Sequence, residues 1–133
     1  MHVLLDSSAC IAIMRNRPTG ARDLLTRWAP GDAGICAIVF AELELGVSLS
    51  QHAEASRLAV SELLANVAVL PFDSDSAVRY GRLRARLQTA GSMIGSLDCL
   101  IAAHALSLGL PLMTGNISEF GRVPGLEVLP IAT

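Results

Sequence analysis

The sequence predicts an α/β fold built on a central, mainly parallel sheet of five strands, layered between helices. Three observations carry this expectation. Short apolar runs of strand length alternate with longer segments of helical period. Gly, Pro and Asn punctuate the joints between them. The length, 133 residues, suits one core, so residues 1–133 are expected to form a single domain.

The elements follow in order. Val3-Leu4-Leu5 is a short buried strand that ends on a carboxylate, Asp6. Ser7 and Ser8 are suited to cap a helix over Ala9 to Arg15, stopped by Asn16-Arg17-Pro18. Gly20 to Trp28 reads as a second helix, with Leu24, Leu25 and Trp28 on one face, and Pro30-Gly31-Asp32 is a turn. Gly34-Ile35-Cys36 is the second strand. The helix after it runs from Ala37 to about Leu49, with Val39, Phe40, Leu43 and Val47 at helical spacing. Gln51 to Asn66 is a further helix and Val67 to Leu70 a third strand, closed by Pro71. Asp75 to Thr89 is a long Arg-rich helix ended by Gly91, and Gly95 to Leu108 an Ala- and Leu-rich one ended by Gly109. Pro111-Leu112-Met113 and Leu126 to Leu129 complete the sheet.

Composition removes several chemistries. Hydrophobic residues make up 52% and charged residues 17%, which supports a substantial core and excludes disorder. All 10 basic residues are Arg. Without Lys there is no Walker A phosphate loop and no Schiff-base chemistry. The longest run without Asp, Glu, Lys or Arg, Cys99 to Ser118, contains His104, Asn116 and the Gly109-Leu110-Pro111 break, so no membrane span is expected. The first residues meet Asp6 at once and have no signal-peptide pattern. Cys10, Cys36 and Cys99 are odd in number, widely spaced and set among apolar neighbours. They read as core residues of a cytoplasmic protein.

In parallel sheets, ligands bind beyond the carboxyl ends of the strands. Asp6 and Asn116 follow strands and fall on that edge. Glu42 lies in an apolar stretch, and Asp98 lies between Leu97 and Cys99-Leu100-Ile101. A carboxylate in such surroundings needs a compensating Arg, backbone donors or a cation. The hard oxygen donors favour Mg²⁺ or Mn²⁺. Each acid also has a plain structural explanation. Asp6 caps the next helix, Glu42 shares a solvated face with Glu44, and Asp98 is favoured by the helix dipole.

Leu4-Leu5-Asp6-Ser7-Ser8, Ala41-Glu42-Leu43, Gly95-Ser96-Leu97-Asp98-Cys99-Leu100-Ile101-Ala102-Ala103-His104-Ala105 and Thr114-Gly115-Asn116-Ile117-Ser118-Glu119-Phe120 resemble the PIN-domain ribonucleases. The resemblance is strongest to the VapC toxins of bacterial toxin–antitoxin pairs, and it spans essentially the whole chain. It implies a PIN-like three-layer α/β/α sandwich and a Mg²⁺- or Mn²⁺-dependent endoribonuclease. Asp6, Glu42 and Asp98 then correspond to the family's metal-binding acids. Asn116 falls where many relatives carry a fourth Asp, and Glu119 supports the site through water. The resemblance further implies structured RNA such as tRNA as substrate, a homodimer, and a cognate antitoxin that blocks the site. Two departures stand out: Ser8 replaces the usual Asn, and the common C-terminal Trp motif is absent. Ser8 and Asn116 keep open an alternative, a catalytically impaired module that binds RNA or a partner protein.

Arg79, Arg82 and Arg86 share a helical stripe suited to phosphates, or to a solvated face paired with Asp73 and Asp75. Arg15 and Arg17 are further candidate RNA contacts. His104, six residues after Asp98, reads as a packed histidine, and Ser7 lacks the base a nucleophile needs. A haloacid-dehalogenase-like phosphatase is excluded, because it needs a second Asp at position 8 and a Lys. Setting aside Asp6, Glu42, Asp98 and Glu119 leaves 8 acids against 10 Arg, although the whole chain carries −2. The negative charge is therefore partly concentrated at the expected site.

Overall fold

The computed structural model describes residues 1–131. Five strands form one all-parallel sheet: β1 (Val3–Leu5), β2 (Ala33–Cys36), β3 (Ala68–Leu70), β4 (Leu112–Met113) and β5 (Val128–Leu129). Their order is β3-β2-β1-β4-β5. β1 lies at the centre, with Leu4 opposite Gly34 on one side and Leu112 on the other. Every residue of β1 and β2 is buried. Because successive side chains point to opposite faces, helices must cover both sides of the sheet.

The helices are α1 (Ser7–Arg15), α2 (Ala37–Leu49), α3 (Ala53–Leu64), α4 (Ser74–Ala90), α5 (Ser96–Leu108) and α6 (Ile117–Phe120). Two expectations need correction. Asp6, not Ser7 or Ser8, is the N-cap of α1, so the helix starts two residues earlier than expected. A carboxylate in extended backbone satisfies the free N–H of Ala9, which leaves both serine hydroxyls for other work. The second helix is a 3₁₀ segment, Ala21–Arg27, whose Leu24 is buried. The short helix α6 has too few residues for a periodic signal in sequence. Gly91 and Gly109 end α4 and α5 with φ of 68° and 67°, a left-handed cap that glycine adopts without a Cβ clash.

The core gathers Leu4, Leu5, Ile13, Ile35, Val39, Leu63, Leu87, Ile101, Leu112 and Phe120. Helix α5 is buried at Cys99 and from Ile101 through Ala105, including His104. The sheet order reverses between β1 and β4. β1 is followed by a neighbour on one side and β4 by a neighbour on the other. A crevice therefore opens beyond their carboxyl ends. No described helix is long and apolar enough to cross a membrane.

Leu4 is fully buried at the sheet centre. Leu4→Ala is expected to lower unfolding free energy by about 3 kcal/mol, read from urea denaturation.

Candidate active site

The crevice is built around Asp6. The residue is only 4% exposed, and its carboxylate has donors on both oxygens. The Ala9 N–H donates to Oδ1 at 2.8 Å, and the Ser8 hydroxyl donates to the same atom at 2.6 Å. Oδ2 accepts from the Thr114 hydroxyl. Thr114 directly follows β4 and is fully buried. Its Oγ1 also accepts from the Asn116 N–H at 2.9 Å. Ser8 Oγ accepts from the Gly115 N–H at 2.9 Å. The turn after β4 is thus latched onto the turn after β1.

Glu42 reaches the crevice from α2. The buried stripe Val39, Leu43 and Val47 seats α2 in the core and leaves Glu42 half-buried at its edge. The Ser7 hydroxyl donates to Glu42 Oε1 at 2.6 Å. Glu44 has a different fate, a two-pronged pair with Arg57 of α3 at 2.6 Å for each bond. The two neighbouring glutamates therefore do not share one solvated face.

Asp98 lies in the first turn of α5, and Glu119 comes from α6. Glu119 Oε1 accepts from the Gly95 N–H at 2.7 Å, and Oε2 accepts from the Asn116 side-chain amide. A Cβ on Gly95 would touch Asp98 Oδ2 and Glu119 Oε1, each at 3.5 Å, so the two carboxylates flank this glycine. Burial pushes the Asp98 carboxyl up to about 7, helped by contact with Glu119 and by the charges of Glu119, Glu42 and Asp6. The Gly95 N–H holds the Glu119 carboxyl below its ordinary value, aided by Asp98, Asn116 and the Arg122 charge.

The structure thus gathers Asp6, Ser8, Glu42, Asp98, Asn116 and Glu119 on one sheet edge. Among the described residues, the two ion pairs are His2–Asp32 and Arg57–Glu44, so no site acid has one. Also among the described residues, no three His, Cys, Asp or Glu side chains form a ready metal cage. An open, oxygen-only edge with a repelled carboxylate still fits a hard cation that retains several waters and uses one or two carboxylates.

The basic candidates are less concentrated. Arg15 lines a 490 Å³ groove with Glu42 between α1, α2 and α3. Arg17 is exposed in the turn after α1. Arg79, Arg82 and Arg86 are exposed on α4 and pair with neither Asp73 nor Asp75 among the described residues. His104 packs its ring edge-on to Phe72, centroids 5.7 Å apart, and burial lowers its pKa against the opposing pull of Asp73. It is a packed histidine. Cys10, Cys36 and Cys99 are free and buried, and burial raises all three thiols.

Sequence reasoning gave no role to Thr114 and considered Ser7 only as a helix cap or a nucleophile. A signal was available for Thr114: a hydroxyl directly after an apolar strand at the ligand-binding edge. For Ser7 there was none, since its partner is 35 residues away.

The family model of the PIN domain matches residues 3–126. The chain belongs to the PIN-domain family, in its VapC ribonuclease branch. It is 34% identical over 127 residues to Ribonuclease VapC2 of Rickettsia felis, covering 95% of each chain. It is 32% identical over 127 residues to the tRNA(fMet)-specific endonuclease VapC of Salmonella typhimurium, covering 94% of each. The crystal structure of DNA-bound VapBC from Salmonella typhimurium superposes with a TM-score of 0.92 at 30% identity, covering 99% of both chains.

Metal-free stability should depend on pH through Asp98. Its folded value near 7 lies above the ordinary carboxylate value near 4. Between those values the folded chain holds a proton that the unfolded chain has released. This group's contribution to stability therefore falls as pH rises from about 4 to 7. In thermal melts without metal, Asp98→Asn should exceed the wild type by a few degrees at pH 8, and the gap should close near pH 4.

Proposed function

We propose that this chain is a divalent-metal-dependent endoribonuclease, the toxin of a toxin–antitoxin pair, acting on structured RNA of the tRNA class. The observation that carries the reading is the convergence of Asp6, Glu42, Asp98 and Glu119, from four separate elements, on one strand edge without an ion-pair partner. A stability role would favour pairing or separating these acids. The relatives support the substrate class: one is named a ribonuclease and another a tRNA(fMet)-specific endonuclease.

Asp6, Glu42 and Asp98 are the proposed holders of Mg²⁺ or Mn²⁺. A bound ion there would supply hydroxide near neutral pH and offset charge on the phosphoryl oxygens. The protein's own part is positioning. Ala9, Ser8 and Thr114 fix both Asp6 oxygens, and Ser7 fixes Glu42. Asn116 adds no charge. Its amide orients Glu119, which in turn restrains Gly95 at the start of the Asp98 helix. Ser8 keeps a hydrogen bond at the position where the family usually has Asn, so that departure leaves the Asp6 cradle intact.

Arg15, beside Glu42 in the groove, is the first choice among the proposed phosphate contacts, ahead of Arg17, Arg79, Arg82 and Arg86. A cognate antitoxin partner is supported by a structural neighbour described as a VapBC complex, and a homodimer follows from the family resemblance. Three buried, free cysteines suit the cytoplasm, where the RNA substrate lies.

With purified tRNA and Mn²⁺, the wild type should produce fragments with 5′-phosphate and 3′-hydroxyl ends. Asp6→Asn and Asp98→Asn should each lose on the order of 100-fold or more. EDTA should stop cleavage and Mn²⁺ should restore it. Cleavage by both variants at the wild-type rate would refute the assignment. Mn²⁺ should also raise the wild-type melting temperature at pH 8 and have a much smaller effect on Asp98→Asn. If Mn²⁺ binding is independent of both acids, the chain is instead an RNA- or partner-binding module.

A further inference from the structure

Arg122 follows α6 and was not among the residues the sequence pointed to. Its backbone is fixed on both sides. Its N–H donates to the Glu119 carbonyl at 3.1 Å, and the adjacent Val123 N–H donates to the Phe120 carbonyl at 3.1 Å. Phe120 and Val123 are both buried in the core. The side chain then reaches the loop before α5, where Nη1 donates to the Met93 carbonyl at 3.0 Å. The same loop meets Glu119 through the Gly95 N–H. Arg122 and Glu119 therefore grip one loop side by side, immediately before the helix that carries Asp98.

The guanidinium is exposed and makes no ion pair among the described residues. One of its five N–H donors is used, on a carbonyl. Its charge reaches the Glu119 carboxylate. A polyanion approaching this edge meets several carboxylates first, and a fixed cation on the rim reduces that repulsion. A guanidinium held at one corner, with its remaining donors free, is pre-organised for a phosphate.

We propose that Arg122 is a substrate-positioning residue that holds a backbone phosphate of the RNA beside the scissile one. The proposal rests on the ribonuclease reading of the carboxylate edge. It gives Arg122 no part in bond cleavage.

The test separates binding from cleavage. A fluorescent tRNA-length hairpin is titrated with wild type, Arg122→Ala, Arg122→Gln and Arg122→Lys in Ca²⁺ over a salt series. Cleavage of the same RNA is then measured in Mn²⁺. Arg122→Gln keeps an amide donor for the Met93 carbonyl while losing the charge. Arg122→Ala and Arg122→Gln should weaken binding and raise KM by about 10-fold, with kcat within about 2-fold, and should flatten the log–log salt dependence by about 0.7 to 0.9. Arg122→Lys should restore most of the salt slope but less of the affinity. Unchanged KM and salt slope overturn the proposal. So does a loss of kcat at constant KM together with a lower melting temperature in all three variants, which would make Arg122 only a loop fastener. If wild type binds the hairpin but does not cut it, the ribonuclease reading fails while the salt slopes still decide the role of Arg122. If wild type does not bind, both fail.

Discussion

The site and much of the sheet's upper edge depend on how Asp6 is buried. A carboxylate with almost no solvent contact is tolerable only when its lone pairs meet donors. Here a backbone N–H of α1, the Ser8 hydroxyl and the Thr114 hydroxyl supply them. The same bonds have structural consequences. Asp6 caps α1 and so sets the direction in which the chain leaves β1. Through Thr114 and Ser8 it fastens the turn after β4 to the turn after β1, across the point where the strand order reverses. A plain helix cap and a catalytic ligand are usually alternative explanations for such a residue. In this protein the carboxylate is a helix cap, and the proposed function gives it the second role as well.

Around that anchor, the fold brings like charges together. Asp98 is held near the edge of deprotonation by burial and by three other carboxylates. The contrast with Glu44 is instructive. Two residues from Glu42, it forms a two-pronged pair with Arg57 and joins α2 to α3. No arginine with a side-chain partner bonds to a site acid: Arg57 holds Glu44, Arg22 the Met14 carbonyl and Arg84 Tyr80, while Arg122 stands beside Glu119 but donates to the Met93 carbonyl. In the metal-dependent role proposed above, a bound divalent cation would relieve this repulsion. Exposed Arg side chains are spread over α1, α3, α4 and the turn after α6, and no Lys accompanies them.

The alternation of apolar strands and periodic helices, the five strands and the presence of acids inside apolar stretches were all legible from sequence. They are written in local pattern. Val3-Leu4-Leu5-Asp6 announces a buried strand with a polar end, and the Gly and Pro stops mark the helix limits. Local pattern failed where residues compete for one role. Asp6, Ser7 and Ser8 are all good caps, and only the backbone geometry decides among them. It failed again at α6, a single turn with no period to read.

By itself, the sequence determined that the chain makes a buried sheet, that carboxylates punctuate its apolar elements, and that Lys chemistry is absent. Those properties depend on residue type and near-neighbour spacing. The tertiary structure alone decided which polar groups meet. Ser7 finds Glu42 over 35 positions, Thr114 finds Asp6 over 108, and Arg122 finds Met93 over 29. Hydrogen bonds act over about 3 Å, so such partnerships exist only after strand order and helix packing have brought distant segments together. The same closure turned four acids, each unremarkable in its own stretch of chain, into one electrostatically strained edge.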